Sequence, residues 1–342
     1  MSKLDNLGNV LIRSDLNVPI KNGEITDNFR ILKSVEILES ILDKSRTITF
    51  TSHMGRPNGK DLNLSLRPVA ESMSDFLGKE VRFIEEVFGE KVEEQIEKSE
   101  SKIFLLENLR FEKGEIENDK KFSNQIIKPF NSYIFDAFGA AHREHASVVS
   151  FGENLESFQG PLMDKEIHEL DRLLNNSESG YAVLLGGAKI SDKLNLIEKL
   201  LPKVEYLMVG GGMCFTLLKA LGHEIGRSLL EESFISKAGE LLNSRFGKKI
   251  ILPIDFGVTD SIDSSVRENV KLDDFKNNHI GVDIGPQTVS NFRKILKKSN
   301  NIFWNGPMGI FEKEAFSYGT KEITEIISNS SAYTCIGGGD SV

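Results

Sequence analysis

Residues 181–194, YAVLLGGAKISDKL, decide the fold. A short apolar run meets two glycines, and two lysines, Lys189 and Lys193, follow four positions apart. The amphipathic KLNLIEKLL (193–201) comes next, so the stretch reads as strand, tight turn and helix. If Ser191 and Asp192 open that helix, its backbone N–H groups and both ammonium groups face one phosphate chain.

The same unit recurs along the chain. In the second half YLMVGGG (206–212), KIILPIDF (249–256), NIFWNGP (301–307) and AYTCIGG (332–338) read as further strands, with helical EESFISKAGELLNSRF (231–246) among them. In the first half VLIRSDLN (10–17), TITFTSH (47–53), EVRFI (80–84), KIFLLENLRF (102–111) and YIFDAFG (133–139) read as strands. FRILKSVEILESILDK (29–44) and LRPVAESMSDFLG (66–78) read as helices. Strands alternating with helices predict an α/β protein built on parallel sheets with crossover helices. FGENLESFQGPLMDKEIHELDRLLNN (151–176) breaks the rhythm and reads as a short loop and then a helix joining two lobes. The expected boundary lies near Gly160, giving lobes 1–160 and 161–342. No fixed-period repeat or low-complexity segment is present.

In parallel α/β sheets ligands bind beyond the carboxyl ends of the strands. In the first half those positions carry Asp15, Leu16 and Asn17; Ser52, His53, Met54, Gly55 and Arg56; Arg110; and His142, Arg143 and His145, with Arg30 after a nearby turn. An arginine fork matches carboxylate and phosphate oxygens. One arginine at a strand end is ordinarily a solvated residue, but recurrence at four strand ends predicts a rim for a small, multiply charged anion. Asp15 and Asn17 add acceptors for a hydroxyl-bearing ligand, and Asp15 equally fits a role orienting an arginine.

The second half places glycine turns at the same positions: Gly186–Gly187, Gly210–Gly212, the turn with Asn305, Pro307 and Glu312, and the closing CIGGGDSV (335–342). Glycine lets backbone approach a ligand closely. One such turn is ordinary chain reversal; four in one half predict a nucleotide cradle. Neither G-x-x-x-x-G-K-[ST] nor a strand–helix G-x-G-x-x-G is present, so the cradle is not a P-loop or a dinucleotide fold. H-E-x-x-H, C-x-x-C and G-x-S-x-G are also absent.

The chain has 342 residues and a formal net charge of −9, which argues against a nucleic-acid surface. Its two cysteines, Cys214 and Cys335, sit in apolar or glycine-rich settings and read as buried small residues. The start has no long apolar stretch, and no segment has the length of a membrane span, so the expected setting is the cytoplasm.

RSDLNVP (13–19), DNFRI (27–31), SHMGRP (52–57), LLENLRF (105–111), DAFGAAHREHAS (136–147), GGAKISDK (186–193), GGGMCFTLLKALGHEIGRSLLEE (210–232), WNGPMGIFE (304–312) and IGGGDS (336–341) together resemble the phosphoglycerate kinase family, in order, from about residue 8 to the end. The resemblance implies two Rossmann-like three-layer lobes, joined by a hinge helix, with a cleft between them. The N-terminal lobe would take 3-phosphoglycerate or 1,3-bisphosphoglycerate and the C-terminal lobe Mg-ADP or Mg-ATP. It implies phosphoglycerate contacts for Asp15, Leu16, Asn17, Arg30, His53, Met54, Gly55, Arg56, Arg110 and Arg143. Arg30 and Lys189 would face the transferring phosphoryl group. Gly187, Ala188, Lys193, Gly211, Gly281, Asn305, Pro307, Glu312, Gly338, Gly339, Asp340 and Ser341 would hold the nucleotide, with Asp340 on Mg2+. The resemblance implies a monomer acting on small molecules, without nucleic-acid or membrane partners.

Leu16 stands where the family usually has Phe, and Ala140 where Thr is common. Family members continue past the last glycine turn into a helix, a further strand and a second Gly-rich turn, whereas this sequence ends at Val342. An active kinase and a fragment that binds anions or nucleotide without turnover therefore both fit. A two-lobed solute-binding protein is disfavoured by the start of the chain and by the lysines.

Overall fold

The computed structural model describes residues 6–21, 23–175, 180–338 and 341. The chain divides into two units, Met1–His168 and Glu169–Val342, and the division falls inside the helix Pro161–Asn175.

The first unit contains strands β1 (Gly8–Ser14), β2 (Ile20–Lys21), β3 (Glu24–Ile25), β4 (Ser45–Thr51), β5 (Val81–Ile84), β6 (Ile103–Leu106), β7 (Ser132–Asp136) and β8 (Glu156–Gln159). Six of them form one parallel sheet in the order β5-β6-β4-β1-β7-β8, and β2 pairs with β3 in a small hairpin. Side chains alternate between the two faces, as strand geometry requires. Val10 and Ile12 join Ile48, Phe50 and Ile103 in one core; Leu11 joins Phe104, Leu106 and Tyr133 in the other. Helices Phe29–Val35 and Arg67–Leu77 cover the first face through Ile31, Val69 and Met73. Helices Glu90–Lys98 and Lys120–Ile127 cover the second through Val92, Ile96 and Ile126. Burial on both faces is why these strands read as unbroken apolar runs.

The second unit contains β9 (Tyr181–Leu185), β10 (Tyr206–Val209), β11 (Ile250–Ile251), β12 (Asp255–Thr259), β13 (Glu268–Lys271), β14 (Ile280–Ile284), β15 (Asn301–Asn305) and β16 (Tyr333–Gly337). Five form a parallel sheet in the order β11-β10-β9-β15-β16. Tyr181, Val183 and Leu185 face one core, while Ala182 and Leu184 face the other with Ile302 and Trp304. The α/β expectation, with parallel sheets buried on both faces, holds in each unit.

Four local readings change. KIILPIDF is not one strand: Pro253 separates β11 from β12, and β12 belongs to an antiparallel sheet β13-β12-β14. A proline that cannot donate to the ladder marks the break. The predicted helix over 29–44 is two, Phe29–Val35 and Leu38–Ile41, with a turn between. The loop read before residue 161 holds β8, which pairs with β7. The helix after the lysines begins at Leu194, not at Ser191 or Asp192. Ser191 instead gives its N–H and its hydroxyl to the Glu231 carboxylate, at 3.1 and 2.6 Å. Cys214 is buried and Cys335 half-buried.

Candidate active site

In the first sheet β6, β4, β1 and β7 are neighbours and parallel, so their carboxyl ends open along one edge. The segments that follow them are tied together. The Leu16 N–H donates to Ser52 Oγ at 2.9 Å. Asn17 Oδ1 accepts the Gly55 N–H at 2.9 Å, and the Gly55 carbonyl accepts Arg110 Nη1 at 2.6 Å. Gly55 turns with φ of +60°, a conformation that favours glycine. Asn108 secures the same loop: its amide donates to the Met54 carbonyl at 2.8 Å and its Oδ1 accepts the Met54 N–H at 3.1 Å.

Onto this frame six cationic or imidazole side chains converge. Burial pushes His53 down to about 2, and the charges of Arg13, Arg110 and Arg143 push the same way, with His145 behind them. Arg110 is lowered to about 10, first by burial and then by Arg143 and Arg13, with Arg56 adding to them and Glu115 opposing. Arg110 is 5% exposed, and its buried Nη2 has no hydrogen-bond partner among the described residues. A buried guanidinium donor left open amid like charges is costly, and a bound anion would satisfy it. Arg30 pairs with Asp15, Nη1 to Oδ2 at 2.8 Å.

Two expected contacts change character. Leu16 and Met54 send their side chains into the core, so only their backbone atoms border the site. Arg13, Glu115 and Ser147 were missed. Arg13 is 1% exposed, with Nε donating to Ser147 Oγ at 3.0 Å and Nη2 to His53 Nδ1 at 2.9 Å. Glu115, fully buried, accepts the Ser147 N–H at 2.9 Å and its hydroxyl at 2.6 Å. For Arg13 the available signal was a charge inside an apolar strand, which seldom occurs unpaired.

In the second unit the glycine turns after β9, β10 and β15 pack on one another. Gly187 has φ of +111° and donates its N–H to the Pro307 carbonyl at 3.0 Å. Gly211 has φ of +64° and donates to the Met308 carbonyl at 3.0 Å. A Cβ on Gly211 would stand 2.6 Å from the Gly187 nitrogen. The fourth turn joins them: Ser341 Oγ accepts the Gly306 N–H at 2.8 Å, and Gly338 carries φ of +88°. Lys193 Nζ donates to Asn305 Oδ1. Lys189 is exposed and donates no hydrogen bond to the described residues. It lies near Glu231. Burial opposes ionisation there, but hydrogen bonds from Ser191 and Ile190 and the Lys189 charge outweigh it and hold the carboxyl below its usual range.

Ala188 and Glu312 are exposed. Leu229, an exposed apolar side chain absent from the expectations, comes within 2.9 Å of a Cβ placed on Gly212, beside the Ala188 carbonyl. Gly281 stands on β14, in the antiparallel sheet, where a Cβ would meet the Phe215 ring at 2.0 Å. Gly339 and Asp340 lie outside the described residues. Among the described residues no three His, Cys, Asp or Glu side chains gather as a metal cluster, and no helix is long and apolar enough to cross a membrane.

The sequence model of the family described as Phosphoglycerate kinase matches residues 4–342. The chain belongs to the phosphoglycerate kinase family. Phosphoglycerate kinase from Dictyoglomus turgidum is 43% identical over 337 residues, covering 97% of this chain and 85% of that protein. The Salinispora arenicola protein of the same name is 43% identical over 341 residues, with the same shares covered. Among solved structures, phosphoglycerate kinase from Coxiella burnetii superposes with a TM-score of 0.85 at 34% identity, covering all of this chain and 88% of that one. Phosphoglycerate kinase from Pyrococcus horikoshii gives 0.85 at 30% identity, covering 99% and 87%. The family is one of kinases that move a phosphoryl group between 1,3-bisphosphoglycerate and ADP in glycolysis.

Proposed function

We propose that this chain carries out the family reaction with the rim of the first unit as its phosphoglycerate site and the glycine turns of the second as its nucleotide site. The observation that carries the reading is the open, buried Arg110 Nη2, set among Arg13, Arg56 and Arg143. Arg56, Arg110, Arg143 and His53 take the phosphate and carboxylate oxygens. Asp15 and Asn17 take the glycerate hydroxyl. Gly187, Gly211, Gly281, Pro307, Glu312 and Gly338 shape the nucleotide pocket, and Lys193, Asn305 and Ser341 hold its phosphates.

Transfer needs charge neutralisation and alignment more than covalent chemistry. The acceptor is a carboxylate in one direction and an ADP oxygen in the other, and neither carries a proton at neutral pH. No general base is therefore required. Arg30 and Lys189 stabilise the charge on the moving phosphoryl group. The two substrates bind different units, so the units must close over them and exclude water, with the helix Pro161–Asn175 as the hinge.

Mg2+ commonly takes one or two carboxylates together with substrate phosphates. That donor set fits a chain whose described residues hold no three-ligand cluster. Asp340 would supply the carboxylate, and the ion would neutralise nucleotide phosphate charge. The enzyme works as a cytoplasmic monomer on small molecules.

A coupled spectrophotometric assay with ATP and 3-phosphoglycerate tests the reading, alongside calorimetric titration with each substrate alone. Turnover with separate saturable binding of both is expected. Binding of either substrate without turnover would overturn the proposal.

A further inference from the structure

We propose that Arg13 is a positioning residue for the family reaction, fixing His53 as the tautomer that carries its proton on Nε2. The inference rests on the rim being the phosphoglycerate site. It follows from a chain of hydrogen bonds whose direction is determined at every step.

Glu115, fully buried and ionised, can only accept. The Ser147 hydroxyl, 2.6 Å away, must therefore donate to it. That leaves the Ser147 oxygen to accept from Arg13 Nε at 3.0 Å. A guanidinium has only donors. His53 Nδ1, 2.9 Å from Arg13 Nη2, must then be the acceptor. A neutral imidazole that accepts at one nitrogen donates at the other. The Tyr133 hydroxyl donates to the Ser147 carbonyl and secures the middle of the chain.

The electrostatics agree. Burial would push Glu115 up, but His145, with Nδ1 3.7 Å from Oε1, the Arg13 charge and the two Ser147 donors outweigh it and hold the carboxyl below its usual range. Arg13 thus has the counter-charge that a buried cation needs. His53 is faced by Arg13 from β1, by Arg110 from the turn after β6, and by Arg143 and His145 from the segment after β7. Those charges oppose a proton on the ring. His53 therefore serves as a neutral donor of fixed direction at every working pH, in a rim where the arginines supply the charge.

The test is 15N NMR of labelled histidine, with the His53 signals assigned by His53→Gln, in the wild type, Arg13→Met and Ser147→Ala. In the wild type His53 should be neutral with its proton on Nε2 from pH 5 to 8. In Arg13→Met the tautomers should mix and titration should move up into that range. KM for 3-phosphoglycerate should rise about tenfold, the order expected for one hydrogen bond to a charged group, and KM for ATP should stay within about twofold. Ser147→Ala, a smaller change that cuts the link to Glu115, should move the same quantities in the same direction and decides the matter if Arg13→Met does not fold. A wild-type proton on Nδ1 overturns the proposal. So does a folded variant of either kind with the wild-type tautomer and KM. The NMR result does not depend on turnover, so a wild type without activity would count against the rim as a substrate site and leave the relay to be judged by its tautomer.

Discussion

Arg30 Nη1 donates to Asp15 Oδ2 at 2.8 Å, linking the residue after β1 to the first turn of the helix Phe29–Val35. The arginine side chain is 49% exposed and the aspartate 23%, so the pair is wet. Ion pairs of that kind contribute about 0–1 kcal/mol to stability. Asp15→Asn should therefore leave the melting temperature within a few degrees. Activity should fall tenfold or more, because the Arg30 fork loses the carboxylate that aims it. Melting curves and steady-state kinetics on the same preparation check this, and a parallel fall in both would make the pair structural.

Lys189 presents an exposed ammonium group beside the Gly186–Gly187 turn and spends no hydrogen bond on the described residues. Lys189→Ala should lower kcat by orders of magnitude while nucleotide affinity drops only severalfold. Single-turnover kinetics with calorimetric ADP binding separate the two quantities. Near-normal turnover would remove Lys189 from the chemistry.

Gly211 has no room for a methyl group and stands in the left-handed region. Gly211→Ala should destabilise the second unit by about 1–3 kcal/mol, the usual range for such strain. It should also weaken nucleotide binding about tenfold by shifting the turn against Gly187. Chemical unfolding and ADP titration measure both. An unchanged affinity would mean that the packing of the two turns does not shape the pocket.

Much of this was legible in the sequence, for definite reasons. Leu184 and Val183 face opposite cores, so β9 had to be apolar throughout and end at glycine. The cations of the rim follow strand ends directly, where the chain must turn polar. Other features leave weaker traces. β12, β13 and β14 pair antiparallel in a separate three-stranded sheet, outside the strand–helix alternation, and β8 is a mostly exposed strand of four residues with no apolar run to announce it. Leu16 and Met54 lie among polar site residues, and only the backbone path turns their side chains to the core. Arg13 was hidden by its own burial, since a charge within VLIRS looks like an interruption until Glu115, 102 positions on, is seen beneath it.

Asp283, almost fully buried within β14, is pushed up to about 7 by burial, against the opposing effect of the Gly319 N–H, the Arg267 charge and the Ile284 N–H. Between its unfolded value of 3.8 and about 7 the folded carboxyl keeps a proton that the unfolded chain releases. Each rise in pH across that window thus weakens the folded state. Asp283→Asn has no such proton. Calorimetric unfolding from pH 4.5 to 7.5 should show wild-type stability declining relative to this variant as pH rises. Wild-type stability that rises relative to the variant with pH would mean the ionised carboxylate is the favoured form.

Trp304 is the chain's one tryptophan, buried in β15 with its indole N–H on the Gly306 carbonyl at 2.8 Å. The first unit has none, and of the five tyrosines it holds only Tyr133. Intrinsic emission is consequently a single-site optical probe of the second unit and of its nucleotide turn. Excitation at the red edge of the tryptophan band leaves the first unit dark. Comparing that signal with far-ultraviolet ellipticity, to which both units contribute, would resolve whether the two melt together or in sequence, with no label attached.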